Sequence, residues 1–594
     1  MARMWLWNSI TTRSRSGSDV FLDNGVAILR THLARHGHEI HVEDWASIES
    51  FQSFSPPWLT RPIRALYRRA AAASPRAARR WGALALPLQS LLTAIQARRM
   101  NRRLDDLVER FLASGAKVFG IKVWYGEAFT WSKRLARKIL ARDPSMLVLA
   151  GGYHATMYEA DILRDSPFDL AAISEGEFVL TEILDAVDRH LPAWDKPRLL
   201  AELAGRAGRG ELTNLAYRQD GAVRLTERAP HHLDDKVIPD YRGMEHKLPV
   251  HVLCESVGCA WGQCHFCVHT HFNGKYRPRP VPAIVAEMQE LARQGVALFR
   301  FAESDTPAPR GARIARAILD AGLEVEYVIG NRAVRGAKDP QRQESLVEQY
   351  GLMIRSGLRA IFMGGETGND WANEQVMNKG VLREDVIWTC RAIQEACRRT
   401  GLVCDLVLAL IYPMPTLGGV TLEQVFDDNL SLVREVRPDV VHPNPPAPLV
   451  ASQWYREPQR FGWDLGPGFI PAMMEYEFCL YKPTSLWPPI EVSLEGRDFH
   501  AVMAECDRFR RALEAEGLNT NLSDEHCAMM RVAGYAGHEG ARRFRRESFL
   551  DIASCDYRMI GEVCRRVAAH SRELAARSVR RMSAPVRAAA EPAG

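Results

Sequence analysis

Apolar and polar positions along this chain fall into two long series in which strand-length runs alternate with helix-length ones. The first series opens with the apolar run MWLWNSI, passes through the amphipathic NGVAILRTHLARHG and returns to EIHVEDW, a pattern that predicts one strand–helix–strand step. After an interruption it resumes, with AKVFGIKVWYG, SKRLARKILARDP, MLVLAGGYHA, EADILRD, LAAISEGE and FVLTEILDAVDRHL reading alternately as strand and helix. Short apolar strands joined by helices imply a doubly wound parallel sheet that binds ligands at the carboxyl ends of its strands. The loops leaving those ends are KVWYGE, GGYHAT and EGE. Gly151 and Gly152 either let a bulky ligand approach the backbone or form a tight turn.

The second series starts at PVHVLCES and predicts further strands at ALFRFAES, EVEYVIGNR, RAIFMGGE, CDLVLALIYP and DVVHPNPPA, each reached through an amphipathic helix. Six strands joined in this way suggest a partial or complete TIM-like parallel barrel with its active site at the carboxyl ends of the strands. Between the two series, LTNLAYRQDGAVRL reads as a hairpin around Asp220-Gly221 within a linker. The chain thus divides into a Rossmann-like α/β unit over residues 1–190 with a helical insertion at 46–103, a linker over 191–249, and a barrel over 250–465. A helical C-terminal unit over 466–575, expected to cover the barrel mouth, and a disordered tail over 576–594 complete it. The insertion has eleven arginines and no acid between Arg61 and Arg103. It reads as a solvated helical face, a lid, a membrane-surface helix or a docking face for an acidic partner.

A net charge of +5 over 594 residues argues against a dedicated nucleic-acid binder. No signal peptide is legible, and the longest apolar stretch, Trp81 to Ile95, contains Pro87 and falls short of the roughly 20 residues of a bilayer span. A cytoplasmic protein without a transmembrane segment is expected. Twelve cysteines are too sparse for a disulfide scaffold, yet four of them crowd into CESVGCAWGQCHFCVHTHF, Cys254 to Phe272, directly after the first barrel strand. Clustered soft thiolates call for zinc or an iron–sulfur cluster. His265, His269 and His271 permit a mixed Cys/His zinc site; three cysteines holding a 4Fe–4S cluster with one open iron is the alternative favoured here.

The cysteine loop, followed in order by YRPRPVPAIVAEMQEL, FRFAESDTP, GNR, MGGETGND, MNKGV, LALIYPMPT and HPNPPAPLVASQWYREPQRFGWDL, resembles the radical SAM superfamily. GGYHAT and SEGEFVLTEIL resemble the end of the cobalamin-binding domain fused to many of its members, so the likeness covers roughly residues 1 to 465. The superfamily's usual cluster motif is CxxxCxxC; Cys259, Cys264 and Cys267 have one extra residue in the first gap, at Trp261-Gly262. The resemblance implies that these three ligate a 4Fe–4S cluster while Cys254 is a buried thiol. It also implies that S-adenosylmethionine is held by Glu303, Asp305, Arg332 and Glu366, with Tyr412 lining the adenosine pocket. Cobalamin would be held by Lys122, Trp124, Tyr125, Gly151, Gly152, His154, Glu175, Gly176 and Glu177. The DxHxxG motif that gives cobalt a histidine is missing, so no protein imidazole is expected on the metal.

In the superfamily, one electron from the reduced cluster cleaves S-adenosylmethionine to a 5′-deoxyadenosyl radical, which abstracts hydrogen from an unactivated carbon. With methylcobalamin alongside, the expected reaction is C-methylation of a secondary metabolite or peptide, served by an electron donor such as flavodoxin or ferredoxin. Rearrangement or cyclisation, a radical SAM enzyme without cobalamin, and a non-catalytic iron–sulfur or zinc protein are the competing readings. Substrate identity is expected to reside beyond about Ile470.

Overall fold

A computed structural model describes residues 1–14, 17–229, 233, 236–302, 305–478 and 484–583. The amino-terminal unit is a seven-stranded sheet of β1 (Arg3–Asn8), β2 (Glu39–Asp44), β3 (Val118–Lys122), β4 (Leu147–Gly151), β5 (Leu170–Ala172), β6 (Leu215–Gln219) and β7 (Ala222–Leu225), in the order β2-β1-β3-β4-β5-β6-β7. The first five strands run parallel; β6 adds antiparallel to β5, and β7 antiparallel to β6. Successive residues feed opposite cores: Leu147 and Leu149 join one cluster, Val148 and Ala150 the other. This is the period-2 signature of a sheet covered on both faces. The expected hairpin at Asp220-Gly221 forms, but it extends this sheet, so the segment 191–249 is no simple linker. Its polar outer residues, such as Arg218 and Arg224, are those of an edge hairpin, which reads as a loop when apolar runs are the only guide.

The insertion folds as Ile48–Phe54, Pro57–Ala71 and the 39-residue helix Pro75–Ala113. The long helix runs past the expected boundary because Met100, Leu104, Leu107 and Phe111 pack into the sheet's core.

The second unit starts with β8 (Val250–Leu253). A two-residue ladder, β9 (Ser256–Val257) on β10 (Arg277–Pro278), brackets the cysteine loop. The strands β11 (Leu298–Phe301), β12 (Glu326–Arg332), β13 (Leu358–Glu366), β14 (Asp405–Ile411) and β15 (Val440–Asn444) then follow in spatial order from β8, all parallel. After a small antiparallel sheet of β16 (Trp463–Leu465), β17 (Val492–Leu494) and β18 (Arg497–Asp498), the short β19 (Asn519–Thr520) pairs with β15. β8 and β19 end the sheet without meeting, so the barrel is partial.

The last of the C-terminal helices does not cover the mouth, whereas Glu525 of the helix Asp524–Val532 pairs with Arg300 at 2.7 Å inside the barrel. Arg558–Ser583 lies across the opposite end: Ser571 Oγ donates to Pro249 O (3.0 Å) and accepts from Ala297 N (3.0 Å), and Ser578 Oγ does the same with Glu324 O and N. These atoms precede β8, β11 and β12. That helix also takes in residues 576–583, expected to be disordered, since its amphipathic pattern continues through Leu574, Ala575 and Ser578, all buried. The rest of the expected tail, 584–594, lies outside the described residues.

Candidate active site

The cysteine loop is stitched to the barrel mouth at every turn. Gly258 has φ +81°, and a Cβ there would stand 2.6 Å from Lys275 O and 2.7 Å from Gly274 O, so only glycine lets the two backbones meet. Beyond it, Cys259 bridges Lys275. The Trp261 indole N–H donates to Asn378 O at 2.7 Å, Asn378 Nδ2 donates to Gln263 O at 2.8 Å, and His265 N donates to Met377 O at 3.0 Å. Cys259, Cys264 and Cys267 are all half-buried, and so is Cys254, where a buried thiol was expected, because it lies past the strand end on a cavity wall. They sense one another: burial pushes the Cys264 thiol up to about 12, opposed by the Lys379 ammonium and reinforced by Cys267 and Cys259. Cys267 is raised by burial as well, while the His269 N–H that donates to its Sγ favours the thiolate.

The three cysteines of the loop offer the soft thiol ligands that an iron–sulfur cluster takes.

The ends of β12 and β13 bring the expected polar residues beside this loop. Glu366, at φ +58°, accepts from Lys379 Nζ at 2.6 Å, and both side chains are about nine-tenths buried. Burial alone would lower the Lys379 pKa, but the Glu366 carboxylate it donates to holds it above the ordinary lysine value. The preceding glycines make room: a Cβ on Gly364 would lie 2.8 Å from Glu366 Oε1 and 2.9 Å from Lys379 Nζ. Arg332 donates through Nε and Nη2 to Lys379 O (3.1 and 2.6 Å), and its guanidinium lies 4.7 Å from the Trp261 ring centroid. Asp305 is buried and accepts from Arg332 N at 3.1 Å; burial raises its pKa. Glu303 lies outside the described residues. Lys379 lies within MNKGV, and nothing in the sequence marks its partnership with Glu366.

Tyr412 does not join this group. It is fully buried, its ring packs against Phe426 and Phe509, and its hydroxyl meets Glu505 (3.2 Å) and Arg508 (3.0 Å) on the helix Phe499–Ala515. It is a core tyrosine serving the outer helices, because an aromatic ring with one polar tip is satisfied there.

At the carboxyl edge of the first sheet is a cavity of about 270 Å³. Lys122, Gly151, Gly152, Glu175, Gly176 and Glu177 line it from the sheet unit, and His251, Val252 and Cys254 line it from β8 and the residue beyond. The rest of its wall is largely aliphatic, with Leu6, Ile28, Leu149 and Leu180 prominent, and adds the polar Asn24, Ser174, Lys236 and Glu287. Lys122 Nζ is paired with Asp23 at 2.5 Å, and Lys236 with Glu175 at 3.2 Å. Gly152, at φ +95°, is a position where a Cβ would meet Lys122 Cγ at 3.0 Å. A second cavity, of about 300 Å³, shares Asn24, Lys122 and Val252 with the first and is lined by Trp124 and Tyr125. An apolar cleft with several placed charges, at the carboxyl edge of a parallel sheet, has the position and mixed polarity of a cofactor site.

His154 faces elsewhere. It is buried against Phe129 and Tyr158 in the opposite core, where burial drops its pKa to about 4. Turning out of Gly152 sends its neighbour Tyr153 the other way, to within 5.7 Å of the Phe272 ring of the cysteine loop. Tyr153 is half exposed, and its place beside the loop carries no mark in the sequence. Nearby, Arg228 donates to Glu159 Oε1 (2.5 Å), Thr156 O (3.1 Å) and His271 O (3.1 Å), tying the sheet unit to the loop.

A partial parallel barrel with a CxxxxCxxC loop after its first strand, abutting the carboxyl edge of a Rossmann-like sheet, decides the architecture. It is the fold of the cobalamin-dependent radical SAM enzymes. The radical SAM methyltransferase TsrM from Kitasatospora setae, solved with cobalamin and a [4Fe-4S] cluster, superposes with a TM-score of 0.58 over 93% of this chain and 99% of its own, at 15% identity. The cobalamin-dependent radical SAM enzyme OxsB with aqua-cobalamin bound matches with a TM-score of 0.51, over 73% of this chain and 52% of its own, also at 15% identity. No family profile matches the chain. Among curated proteins, the ribosomal protein uS12 methylthiotransferase RimO of Synechococcus sp. (strain JA-3-3Ab) is 25% identical over 149 residues, and that of Trichodesmium erythraeum (strain IMS101) is 29% identical over 171 residues. Those matches cover 25% of this chain in each case, and 25% and 37% of the respective relatives.

Proposed function

We propose that this protein is a cobalamin-dependent radical SAM enzyme that transfers a methyl group to carbon. The observation that carries the reading is one of position. Val252 and Cys254 line the sheet unit's cavity, and Cys259, Cys264 and Cys267 follow within a few residues, so one strand end serves both sites. TsrM, which shares the fold over nearly its whole length, is a methyltransferase solved with both cofactors.

When bound, the cluster and cobalamin would supply, respectively, the electron that cleaves S-adenosylmethionine and the transferable methyl group. Cys259, Cys264 and Cys267 would hold the cluster. Lys379 pairs with the Glu366 carboxylate at 2.6 Å and would fix it in place to meet the amino or ribose groups of the cosubstrate. Arg332, clamped on Lys379 O and stacked on Trp261, presents cationic character for a carboxylate. In the cavity, the Lys122–Asp23 and Lys236–Glu175 pairs would meet polar substituents of the corrinoid while the glycine turns admit its bulk. Cys254, on the cavity wall, is a lining thiol.

Anaerobic purification with iron and corrinoid analysis, followed by turnover with S-adenosylmethionine labelled in its methyl group, tests this. Labelled product together with 5′-deoxyadenosine and S-adenosylhomocysteine is expected. Deoxyadenosine without label transfer would favour rearrangement, a sulfur-bearing product would favour methylthio transfer, and absence of corrinoid even when supplied would favour a cobalamin-free enzyme.

A further inference from the structure

The hairpin Pro57–Ala71 and Pro75–Ala113 contributes no residue to the cysteine loop or to either cavity. Its charge is singular. The stretch Arg61 to Arg103 carries +11 in a chain of net +5, so all other residues together carry −6. Packing accounts for some of these arginines. Arg64 pairs with Glu547 and Asp551, Arg103 stacks on Trp45 at 4.1 Å, and Arg99 donates to Ser53 O at 2.7 Å. Arg61, Arg68, Arg76, Arg80, Arg98 and Arg102, in contrast, are exposed and have no carboxylate partner among the described residues.

Between these cations stand large apolar side chains in solvent: Trp58 is 64% exposed, Leu84 57%, Leu86 58% and Leu91 45%. Arg80, Leu84, Leu91, Arg98 and Arg102 recur at helical spacing on one face of the long helix. That face cannot turn inward, because the opposite one is anchored: Leu92 and Met100 are fully buried, and Gln89 and Gln96 donate to Ala553 O (2.6 Å) and Ser55 Oγ (2.8 Å).

We propose that the hairpin docks the enzyme on an anionic lipid bilayer, with Leu84, Leu91 and Trp58 entering the headgroup boundary and the arginines meeting lipid phosphates. A second copy of this chain does not suit the face, since antiparallel pairing of the stripe sets arginine against arginine. Nucleic acid would answer the charge but leave the leucines in water. Among the described residues no helix is long and apolar enough to cross a membrane, so the contact is peripheral.

Co-sedimentation of the full chain with vesicles tests the proposal. Binding is expected to vesicles of phosphatidylcholine with phosphatidylglycerol, not to phosphatidylcholine alone, and it should collapse between about 0.1 M and about 0.5 M salt. R80E/R98E/R102E should lower the bound fraction at least tenfold, while L84S/L91S should weaken binding several-fold and keep its salt dependence. All five positions are exposed, so circular dichroism and iron content should be unchanged. Equal binding to both vesicle types, or wild-type binding by the charge-reversed variant, would overturn the proposal. So would failure to bind vesicles with retention on a polyglutamate matrix, which would assign the face to an acidic protein.

Discussion

Lys379→Met removes the ammonium from beneath the cysteine loop and leaves the Glu366 carboxylate buried without a partner. The two charged atoms are 2.6 Å apart, and the side chains are only 10% and 9% exposed. Deleting one member of such a pair costs about 3–5 kcal/mol, mostly the penalty on the stranded charge. In a unit the size of the barrel each kcal/mol moves the midpoint by about 2–4 °C, so the barrel transition should fall by roughly 6–20 °C. The Arg332 clamp should survive, because it grips the backbone carbonyl of residue 379.

Thermal unfolding of the reduced apo-protein, followed by circular dichroism, reads the effect, and iron content after reconstitution reads its consequence for the loop. Cluster uptake at neutral pH should slow, since Lys379 is the group that opposes the upward shift of Cys264 to about 12. The double variant K379M/E366Q has no stranded charge and should recover most of the midpoint, to within about 2–4 °C of wild type. A single-variant shift under about 2 °C, or a double variant no better than the single, would refute the argument that a desolvated ion pair supports the loop.

Three further outcomes are expected. Alanine at Cys259, Cys264 or Cys267 should abolish iron loading while C254A retains it; full iron in any of the first three would remove that residue from the ligand set. G258A should also lose iron, with the protein otherwise folded, because its Cβ would collide with two backbone carbonyls at 2.6 and 2.7 Å; normal loading would show that the loop relaxes freely. His154 titrates near 4 in the fold against about 6.5 unfolded, so it binds fewer protons when native and its contribution, about 3 kcal/mol, is present above pH 6.5 and lost as pH falls toward 4. H154F should flatten that acid-side slope in denaturant titrations, and an unchanged slope would place the acid sensitivity elsewhere.

The elements legible in the sequence were those whose apolar runs are long and whose chemistry is local. All six barrel strands were, because each is buried on both faces, and the cysteine loop announced itself by composition. The hairpin β6–β7 was recognised as a hairpin yet assigned to a linker, since nothing local records which sheet an edge hairpin joins. Position relative to a strand end was readable, but side-chain direction was not: Tyr412 and His154 both stand beside site residues and turn into cores. For His154 the alternation itself held a signal, as its neighbour Tyr153 is the one that reaches the loop. Lys379 escaped because its role depends on a partner thirteen residues earlier across a turn, a distance at which charge pairing leaves no periodic trace.

The contacts around Arg228 give the proposed chemistry its direction. A substrate carbon that must meet a radical on one side and a methyl donor on the other needs about 3–3.5 Å at each encounter, so the two cofactor sites have to be held at a fixed separation. Arg228, leaving the edge hairpin, grips Glu159 and Thr156 on the sheet unit and His271 at the end of the cysteine loop. Tyr153 and Phe272 pack ring on ring beside it. On the far side, Asn24 Nδ2 donates to Val252 O at 2.8 Å, and Lys247 pairs with Asp44 at 3.2 Å with both side chains only 1% exposed. The sheet unit is thus pinned to the barrel at both flanks of the cavity. With both flanks fixed, the separation of the cysteine loop from the cavity is set by these contacts, and the Tyr153–Phe272 ring pair belongs to that joint.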